Sequence, residues 1–401
     1  MRVHRFAASL AACLACAAPA AAKTLHVGAE GADANEKLQE ALILAEPGDV
    51  VELGAGVWTL TDGLSLDVDN VTVRGAGTKD GEGSILDFAG QQGAGEGLLV
   101  TSDDVLLTNF AVLNTRGDGI KSKDANRIVY HELRVEWTAG PKETNGAYGI
   151  YPVESSDVLI DSVYVRGASD AGIYVGQSKN IVVRDSIAKE NVAGIEIENC
   201  YDADVYDNIA TRNTGGILVF DLPSLPQQGG HNVRVFDNIV QDNSTPNFAP
   251  KGNIVASVPT GTGVLVMANR RVEIFDNVLE NNGTANVMIV GYRYPYDDAK
   301  YQPLPQDIAV WDNAHGKAGF APAFPGGADM AAAMGGAIPP VLWDGAGNAI
   351  VNDDVGVLSL NLPDVSTPQS DAQPSPADLK GDAPTPLPGV TLPESMEVKV
   401  L

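Results

Sequence analysis

Lysine, tyrosine and glutamate recur at one position of a repeated pattern, and they are the side chains of this sequence best suited to chemistry. Each directly follows a Gly-Ile pair, and the four successive cases are Lys121, Tyr151, Tyr174 and Glu196. Aromatic rings pack against pyranose faces, and charged groups bind hydroxyls, so the combination is typical of an extended saccharide site. We therefore predict that these four side chains line such a site and include any catalytic groups.

A second set of side chains lies two residues further along the same segments and contains Lys123, Glu198 and Phe220. Alternate residues of a strand point to the same face, so the two sets should form neighbouring columns. A polar insertion, residues 138–147, precedes the segment of Tyr151 and carries Asn145. We predict that these four side chains bind substrate.

Each candidate also has a structural interpretation, which the sequence leaves open. The lysines can offset the acidic neighbours Asp118 and Asp124. The two tyrosines can be a cross-strand pair, worth roughly 0.2–1 kcal/mol. The glutamates can be ordinary surface charges beside Lys189 and Arg212.

The elements that would position these residues follow from a repeat. The glycines of the repeated pairs are Gly97, Gly119, Gly149, Gly172, Gly194 and Gly216. Successive intervals are 22, 30, 23, 22 and 22 residues, and a period of roughly 20–30 residues indicates a solenoid. Each period holds three short runs of Val and Ile broken by Gly, Asn and Asp, which leaves no room for a helix. A leucine-rich repeat would need leucine at the framework positions, where this chain has Val and Ile. The prediction is an all-β parallel β-helix with coils of ~22 residues, spaced about 4.8 Å apart.

Asparagine occupies a second fixed position in the repeat. Asn191, Asn213, Asn243 and Asn282 each lie 11 residues after a turn position. Stacked amides can hydrogen-bond from coil to coil and satisfy buried backbone groups. We expect a ladder of these side chains inside the rod.

Long insertions fall beside the columns described above. Residues 222–230 and 244–260 interrupt the repeat, as do residues 138–147. Such loops on a regular scaffold commonly carry function. We expect them to wall the columns into a groove.

The repeat resembles that of right-handed parallel β-helix proteins with the pectin-lyase-like fold, over about residues 25–293. Residues 34–42 read as an amphipathic helix that leads into residues 46–58, which is similar to the N-terminal cap of that fold. The most similar group is a set of exported bacterial β-helix repeat proteins of unassigned reaction. The resemblance implies a right-handed solenoid whose first coil is closed by a helix.

The resemblance also implies candidate reactions. Lyases of this fold use a basic side chain to abstract a proton beside a uronate carboxyl, which would make Lys121 the base and Tyr151 or Tyr174 the acid. Calcium is a candidate cofactor, and the cofactor is otherwise unknown. Residues 114–120 resemble the first catalytic segment of polygalacturonases, but Ala171 stands where their histidine is expected and no Arg-Ile-Lys segment follows. A lyase is therefore favoured over a glycoside hydrolase, and whether the protein is an enzyme stays open.

The first 22 residues are predicted to be a secretory signal, because basic residues precede an apolar run and small residues precede Lys23. Residues 10–13 offer an alternative, a lipoprotein cleavage box that would leave Cys13 lipidated. Either way we expect export to the periplasm or the cell exterior. Beyond the signal only Cys200 is left, so no intrachain disulfide can form.

Composition narrows the partners. The chain has 26 basic and 52 acidic residues, a net charge of −26, which repels nucleic acid and anionic lipid. We expect a monomer without a membrane span, whose partner is a polysaccharide or oligosaccharide, and no metal site, because the histidines lack ligand spacing. The predicted regions are a signal peptide (1–22), an N-terminal cap helix with the first strands (23–63), the β-helix (64–300), a C-terminal cap (301–360) and a Pro-rich disordered tail (361–401).

The sequence thus predicts an exported parallel β-helix protein that is carbohydrate-active, lyase-like or polysaccharide-binding, through one outward column of side chains. The alternative is a non-catalytic periplasmic or surface β-helix that binds a glycan or a protein partner.

Overall fold

The computed structural model describes residues 22–396 apart from residues 32, 94 and 383. It is a right-handed parallel β-helix, in which successive strands of one coil belong to three different sheets. The predicted architecture of three short strands per coil is confirmed. The predicted signal segment and the alternative lipoprotein box lie outside the described residues, except for residue 22.

The strands, numbered in chain order, fall into three sheets. Sheet I contains, in spatial order, β1 (Thr24–Val27), β2 (Val50–Leu53), β5 (Thr72–Arg74), β8 (Leu106–Thr108), β11 (Ile128–His131), β14 (Ser156–Asp161), β17 (Lys179–Arg184), β20 (Tyr201–Tyr206), β23 (His231–Phe236), β26 (Arg270–Phe275), β29 (Gln306–Trp311) and β32 (Ala349–Val351). Sheet II contains β4 (Leu64–Leu66), β7 (Leu98–Val100), β10 (Ile120–Lys123), β13 (Tyr148–Val153), β16 (Ala171–Gly176), β19 (Ala193–Glu198), β22 (Gly215–Phe220), β25 (Thr262–Met267), β28 (Ala285–Val290), β31 (Val341–Trp343), β33 (Val357–Ser359) and β34 (Ser375–Ala377). Sheet III contains β3 (Gly56–Thr59), β6 (Ser84–Asp87), β9 (Phe110–Leu113), β12 (Arg134–Glu136), β15 (Tyr164–Arg166), β18 (Ile187–Lys189), β21 (Ile209–Thr211), β24 (Ile239–Gln241), β27 (Val278–Glu280) and β30 (Ala314–His315).

Steric crowding at one corner explains the repeated glycine. A Cβ added to Gly149 would lie 2.2 Å from Cγ1 of Val165 and 2.6 Å from the carbonyl oxygen of Gly172. No side chain fits there, because the chain of the next coil passes directly beside the backbone. The aliphatic residue that follows each glycine, isoleucine in all cases except Leu98, then fills the interior, and Ile150 and its in-register neighbour Ile173 are fully buried.

Asparagine ladders run inside the rod, as predicted. Nδ2 of Asn191 donates to Oδ1 of Asn213, and the same 3.1 Å bond joins Asn213 to Asn243 and Asn243 to Asn282. A second, unpredicted ladder starts at Asn208 and continues through Asn238, Asn277 and Asn313. Both hold turns of adjacent coils in register and satisfy backbone groups that water cannot reach.

A helix closes the N-terminal end of the rod. Helix α1 (Ala34–Leu44) buries Ala34, Leu38 and Leu42 against the first coil, whereas helix α2 (Gly327–Ala333) contributes Ala331 to the apolar cluster on the outer face of sheet II. Strands of sheets I and III already occur before residue 64, and all three sheets continue beyond residue 300. The rod is therefore longer than residues 64–300, because the predicted caps contribute strands of their own.

The prediction of a disordered tail at residues 361–401 is wrong for the described part of that segment. Within it, β34 pairs antiparallel with β33 in sheet II. The chain then runs extended across sheet I, where the backbone N–H of Leu387 donates to Oε1 of Glu273 at 2.9 Å. Met396 is buried in an apolar cluster with Val129. Proline-rich composition limits regular structure here, but the few apolar side chains of the tail still pack against the rod.

Within the part of the chain that the structure describes, no helix combines the length and the apolar composition needed to span a bilayer.

Candidate functional site

The predicted column lies on the outer face of sheet II, on four consecutive coils. Lys121 pairs with Tyr151 in register, and Tyr174 pairs with Glu196. The rings of Tyr151 and Tyr174 meet edge to face with centroids 5.0 Å apart. The structure therefore places these four side chains in one row, but it divides the row into an open and a closed half.

The closed half contains Tyr174, Glu196 and Glu198, which are 4%, 1% and 7% exposed. Their strands point them away from the rod's interior, yet a second apolar cluster covers them with side chains from residues 244–260 and from Tyr301. The prediction of an open groove floor is wrong at these positions. The interpretation of the glutamates as surface charges is also wrong.

Hydrogen bonds organise only part of the closed half. The hydroxyl of Tyr174 donates to Oε1 of Glu198 at 2.6 Å, and the amide of Gln177 donates to the same oxygen at 3.2 Å. Oε2 of Glu196 has no hydrogen-bond partner among the described residues. Burial, with repulsion from Asp170 and Glu198, holds the pKa of Glu196 well above its usual range. Burial also raises the pKa of Glu198 to about 7, against the opposing bond from Tyr174.

Asp170 connects the two halves of the site. It precedes β16, and its backbone N–H donates to the carbonyl oxygen of Ala147 at 3.0 Å. Oδ2 accepts a 2.9 Å bond from the amide of Asn253, which belongs to the insertion 244–260. Burial raises the pKa of Asp170 to about 7, despite this bond. The insertion therefore reaches back over the coil of β16 and is fixed there by a buried carboxyl group.

The open half is built around the ammonium group of Lys121. Its Nζ lies 3.3 Å from Oε1 of Glu96, 3.8 Å from Oδ2 of Asp118 and 4.6 Å from the ring centre of Tyr151. Glu96 and Asp118 each precede the corner glycine of their coil, and the N–H of Gly97 donates to the carbonyl oxygen of Asp118. Two partly exposed carboxyl groups of adjacent coils therefore flank one cation.

The distances to Lys121 bound the separation of the two carboxyl groups. Both oxygens contact the same nitrogen, so these two atoms are no more than about 7 Å apart. This upper limit is compatible with the roughly 5–9.5 Å found for carboxyl pairs that cleave glycosidic bonds. Burial raises the pKa of Asp118 to about 6, although Lys121 opposes the rise, and repulsion by Glu96 adds to it. Such a group still carries its proton at mildly acidic pH, where it can donate it to a substrate.

The tyrosines of the site keep their protons. Burial raises the pKa of Tyr151 to about 12, and repulsion by Asp118 adds to this effect. Burial also holds the pKa values of Tyr148 and Tyr174 well above the usual range. Phenols in this state donate hydrogen bonds and offer ring surface, but they do not act as bases at neutral pH.

The remaining predicted residues divide between the surface and the scaffold. Lys123 is exposed, with Nζ 3.8 Å from Glu154. Asn145 donates 2.9 and 2.6 Å bonds to the carbonyl oxygens of residues 140 and 167, so it holds its loop together. Phe220 is fully buried under the apolar cover. Only Lys123 of these three is placed to meet a ligand.

The sequence prediction gives no role in the site to Glu96, Asp118 or Asp170, although Asp118 lies in the segment 114–120 that resembles a catalytic segment. Strand alternation counted from the glycine onward leaves out the preceding residue, whereas the corner turns both the glycine and the following isoleucine inward. The residue before the glycine therefore also faces out, in a column that Glu96 and Asp118 begin. An acidic residue at this position of two adjacent coils was the available signal.

Metal ligation is not evident in the described ranges. No group of three or more His, Cys, Asp or Glu side chains there has an arrangement that could hold an ion. Cys200 is buried and unpaired.

Comparisons with known proteins agree with the architecture. The family described as right handed beta helix region matches residues 56–228 and 145–296. Three solved structures are similar: an alginate lyase from Paenibacillus sp. str. FPU-7 (17% identity, 74% of this chain and 97% of that chain, TM-score 0.50), the A-module of the mannuronan C-5 epimerase AlgE4 from Azotobacter vinelandii (17%, 80% and 83%, 0.55) and a DFA-IIIase from Arthrobacter chlorophenolicus A6 (12%, 82% and 94%, 0.51). A search of curated proteins finds no significant match. At these identities the likeness establishes the fold alone.

Proposed function

The chain belongs to the right-handed β-helix family, and from that premise we propose that it is an exported carbohydrate-active enzyme that hydrolyses glycosidic bonds of a neutral saccharide. The reaction takes place at the open half of sheet II. Asp118 is the general acid and Glu96 the second carboxyl group.

One observation carries this proposal, namely the partly exposed pair of Glu96 and Asp118. Glycoside hydrolysis requires one protonated carboxyl group to donate to the leaving oxygen and one ionised carboxyl group to activate water or attack the sugar. Burial supplies the first, because it raises the pKa of Asp118 to about 6. The separation of at most about 7 Å lets both groups reach one sugar ring.

Neighbouring side chains supply binding. The Tyr151 ring lies beside Lys121 at the surface, where it can pack against a pyranose face. Lys121 donates to hydroxyl oxygens from between the two carboxyl groups. The exposed lysine of the second column, Lys123, extends this polar surface.

The charge of the site favours a neutral substrate over a polyuronate. Glu96, Asp118 and Glu154 lie around the two lysines, so each ammonium is already paired with carboxylates. A uronate carboxyl group placed here would meet more negative than positive charge. The net charge of −26 acts in the same direction at longer range.

Elimination by a lysine base is less well supported by the contacts. Lys121 makes two ion pairs and a cation–π contact, and these are contacts of an ammonium group, which cannot abstract a proton. The tyrosines do not replace it as base, because their pKa values are raised. Although the similar structures include an alginate lyase, the residues of this site support acid–base chemistry between carboxyl groups.

The test is incubation of the protein with a panel of neutral polysaccharides and with alginate and pectate. We expect new reducing ends from a neutral substrate, without the ultraviolet absorbance of an unsaturated uronate. Asp118→Asn and Glu96→Gln should each lower kcat by roughly 10²–10⁴-fold. The matched control is Asp124→Asn, because Asp124 is exposed directly after β10, the strand that follows Asp118. This variant should keep full activity.

Lys121→Met separates the two mechanisms. If Lys121 were the base of a lyase, the variant would be inactive. If Asp118 is the acid, turnover persists and its alkaline limb moves to higher pH, because the attraction that lowers the pKa of Asp118 is gone. Unsaturated product that persists in Asp118→Asn, or saccharide binding without any product, would overturn the proposed function.

A further inference from the structure

Exposure changes in one direction along the outer face of sheet II. The in-register column is exposed at Ser65, half-buried at Leu99, Lys121 and Tyr151, and buried from Tyr174 to Leu358. The groove is thus open toward the N-terminal end of the rod and closed toward its C-terminal end.

The change of chemistry coincides with the change of exposure. Beyond Glu196 the column continues with aliphatic and thioether side chains, which are all buried, namely Leu218, Leu265, Met288, Leu342 and Leu358. These side chains form the floor of the apolar cluster under the cover and offer no partner to sugar hydroxyls. Beyond Glu196 this column therefore presents no polar side chain to a saccharide.

The wall that ends the groove is the insertion 244–260. It leaves the rod before β25 and reaches back over three strands, about 14 Å, to the coil of β16. Asn247 fastens it internally through 2.9 and 3.0 Å bonds to the carbonyl oxygens of Val255 and Val258. Asn253 fastens its tip to Asp170. The wall is therefore a built part of the fold.

From this arrangement we infer that the protein acts on chain ends and accommodates a short terminal piece of the saccharide beyond the cleavage point. The inference rests on the proposed function, because it takes Glu96 and Asp118 as the cleavage point. A chain lying along the rod extends freely over Lys121 toward β7 and β4. In the other direction it has only the space above Tyr148 and Tyr151 before it meets the wall. An internal bond would need a chain that passes through the wall.

The experiment compares two linear oligosaccharide series, each labelled at a different end, with a cyclic saccharide of the same linkage, which has no ends. We expect one of the two labels to appear only in the smallest terminal product, without labelled intermediate lengths, and we expect no cleavage or binding of the cyclic form. Asn253→Ala releases the tip of the wall, so intermediate lengths should then carry either label. Ser257→Ala is the control, because Ser257 lies exposed in the same insertion and bonds only to Ile254. That variant should keep the parent's product pattern.

If the parent protein releases intermediate lengths that carry either label, or binds linear and cyclic forms equally, the inference is overturned while hydrolysis stays intact. A further outcome is that linear chains bind while cyclic ones do not, without any cleavage. In that case chain-end recognition stands and the proposed hydrolysis is wrong. If neither form binds, both are wrong. If the product pattern of Asn253→Ala is unchanged, a second variant, in which a short glycine-serine linker replaces residues 248–253, tests whether the wall limits cleavage. If that variant also yields only the terminal product, the wall does not set specificity and the inference fails.

Discussion

Glu198 should make the fold less stable at neutral and alkaline pH, and Glu198→Gln tests this directly. The carboxyl group is 7% exposed and accepts bonds from Tyr174 and Gln177 on one oxygen. Glutamine keeps the size and the accepting oxygen, so both bonds can persist. What changes is the charge that burial opposes.

The magnitude follows from the change in pKa on folding. The pKa of Glu198 rises from 4.5 to about 7, and a difference of one corresponds to about 1.4 kcal/mol, so the carboxylate costs about 3 kcal/mol. The folded state binds the proton more tightly than the unfolded chain does. The free energy of unfolding of the parent therefore falls by about 3 kcal/mol as pH rises from about 4.5 to about 7, and it changes no further above that pH. Removing the charge also relieves repulsion on Glu196, which adds to the gain. Glu198→Gln should therefore match the parent at pH 4 and exceed it at pH 8 by about 3 kcal/mol.

Urea unfolding at a series of pH values, followed by tryptophan fluorescence, measures the difference in free energy of unfolding. Glu280→Gln is the control, because Glu280 is exposed on β27, and its difference from the parent should not vary with pH. A Glu198→Gln difference that stays the same between pH 4 and pH 8 would refute the argument, because it would mean that Glu198 ionises as it does in water.

Three further outcomes are expected. The value of kcat/KM should fall about tenfold per pH unit above about pH 6, because the general acid loses its proton there; a rate that rises through this range would assign the essential group to a base. Gly149→Ala should prevent soluble expression or unfold the chain at ambient temperature, since the new Cβ would lie 2.2 Å from Val165. The control is Gly28→Ala, whose new Cβ meets nothing within 4 Å, and it should leave the thermal denaturation midpoint unchanged. Asn213→Ala should lower the free energy of unfolding by about 3–5 kcal/mol, because it leaves several buried ladder partners unsatisfied. The control Gln241→Ala, at a half-buried surface position of β24, should change the urea midpoint little.

Much of the scaffold was predictable because a solenoid is built from local relations. The spacing of the glycines fixes which residues of neighbouring coils lie side by side, and Lys121 and Tyr151 are paired as that spacing implies. The asparagine ladder follows from the same spacing. No long-range information is needed when each coil packs mainly against the next one.

The cover of sheet II was not predictable in the same way. Tyr301 lies more than 100 residues after Glu196, and nothing in the length or composition of the intervening insertions tells where they fold. The predicted column lies on one face of sheet II, as strand alternation implies, but insertion 244–260 covers it from the coil of β16 onward. The extended tail was missed for a similar reason, since Met396 finds its apolar partners on sheet I only after the rod has formed.

By itself the sequence determined the coil period, the inward isoleucines and the order in which side chains follow one another along each face. These depend on spacing and on strand alternation, which are local properties. Only the tertiary structure decided which of those outward side chains meet solvent and which carboxyl groups share one cation. Both depend on desolvation and on contacts between distant segments: the cover buries Glu196 and Glu198, and the turn at the corner glycine brings Glu96 and Asp118 together beside Lys121.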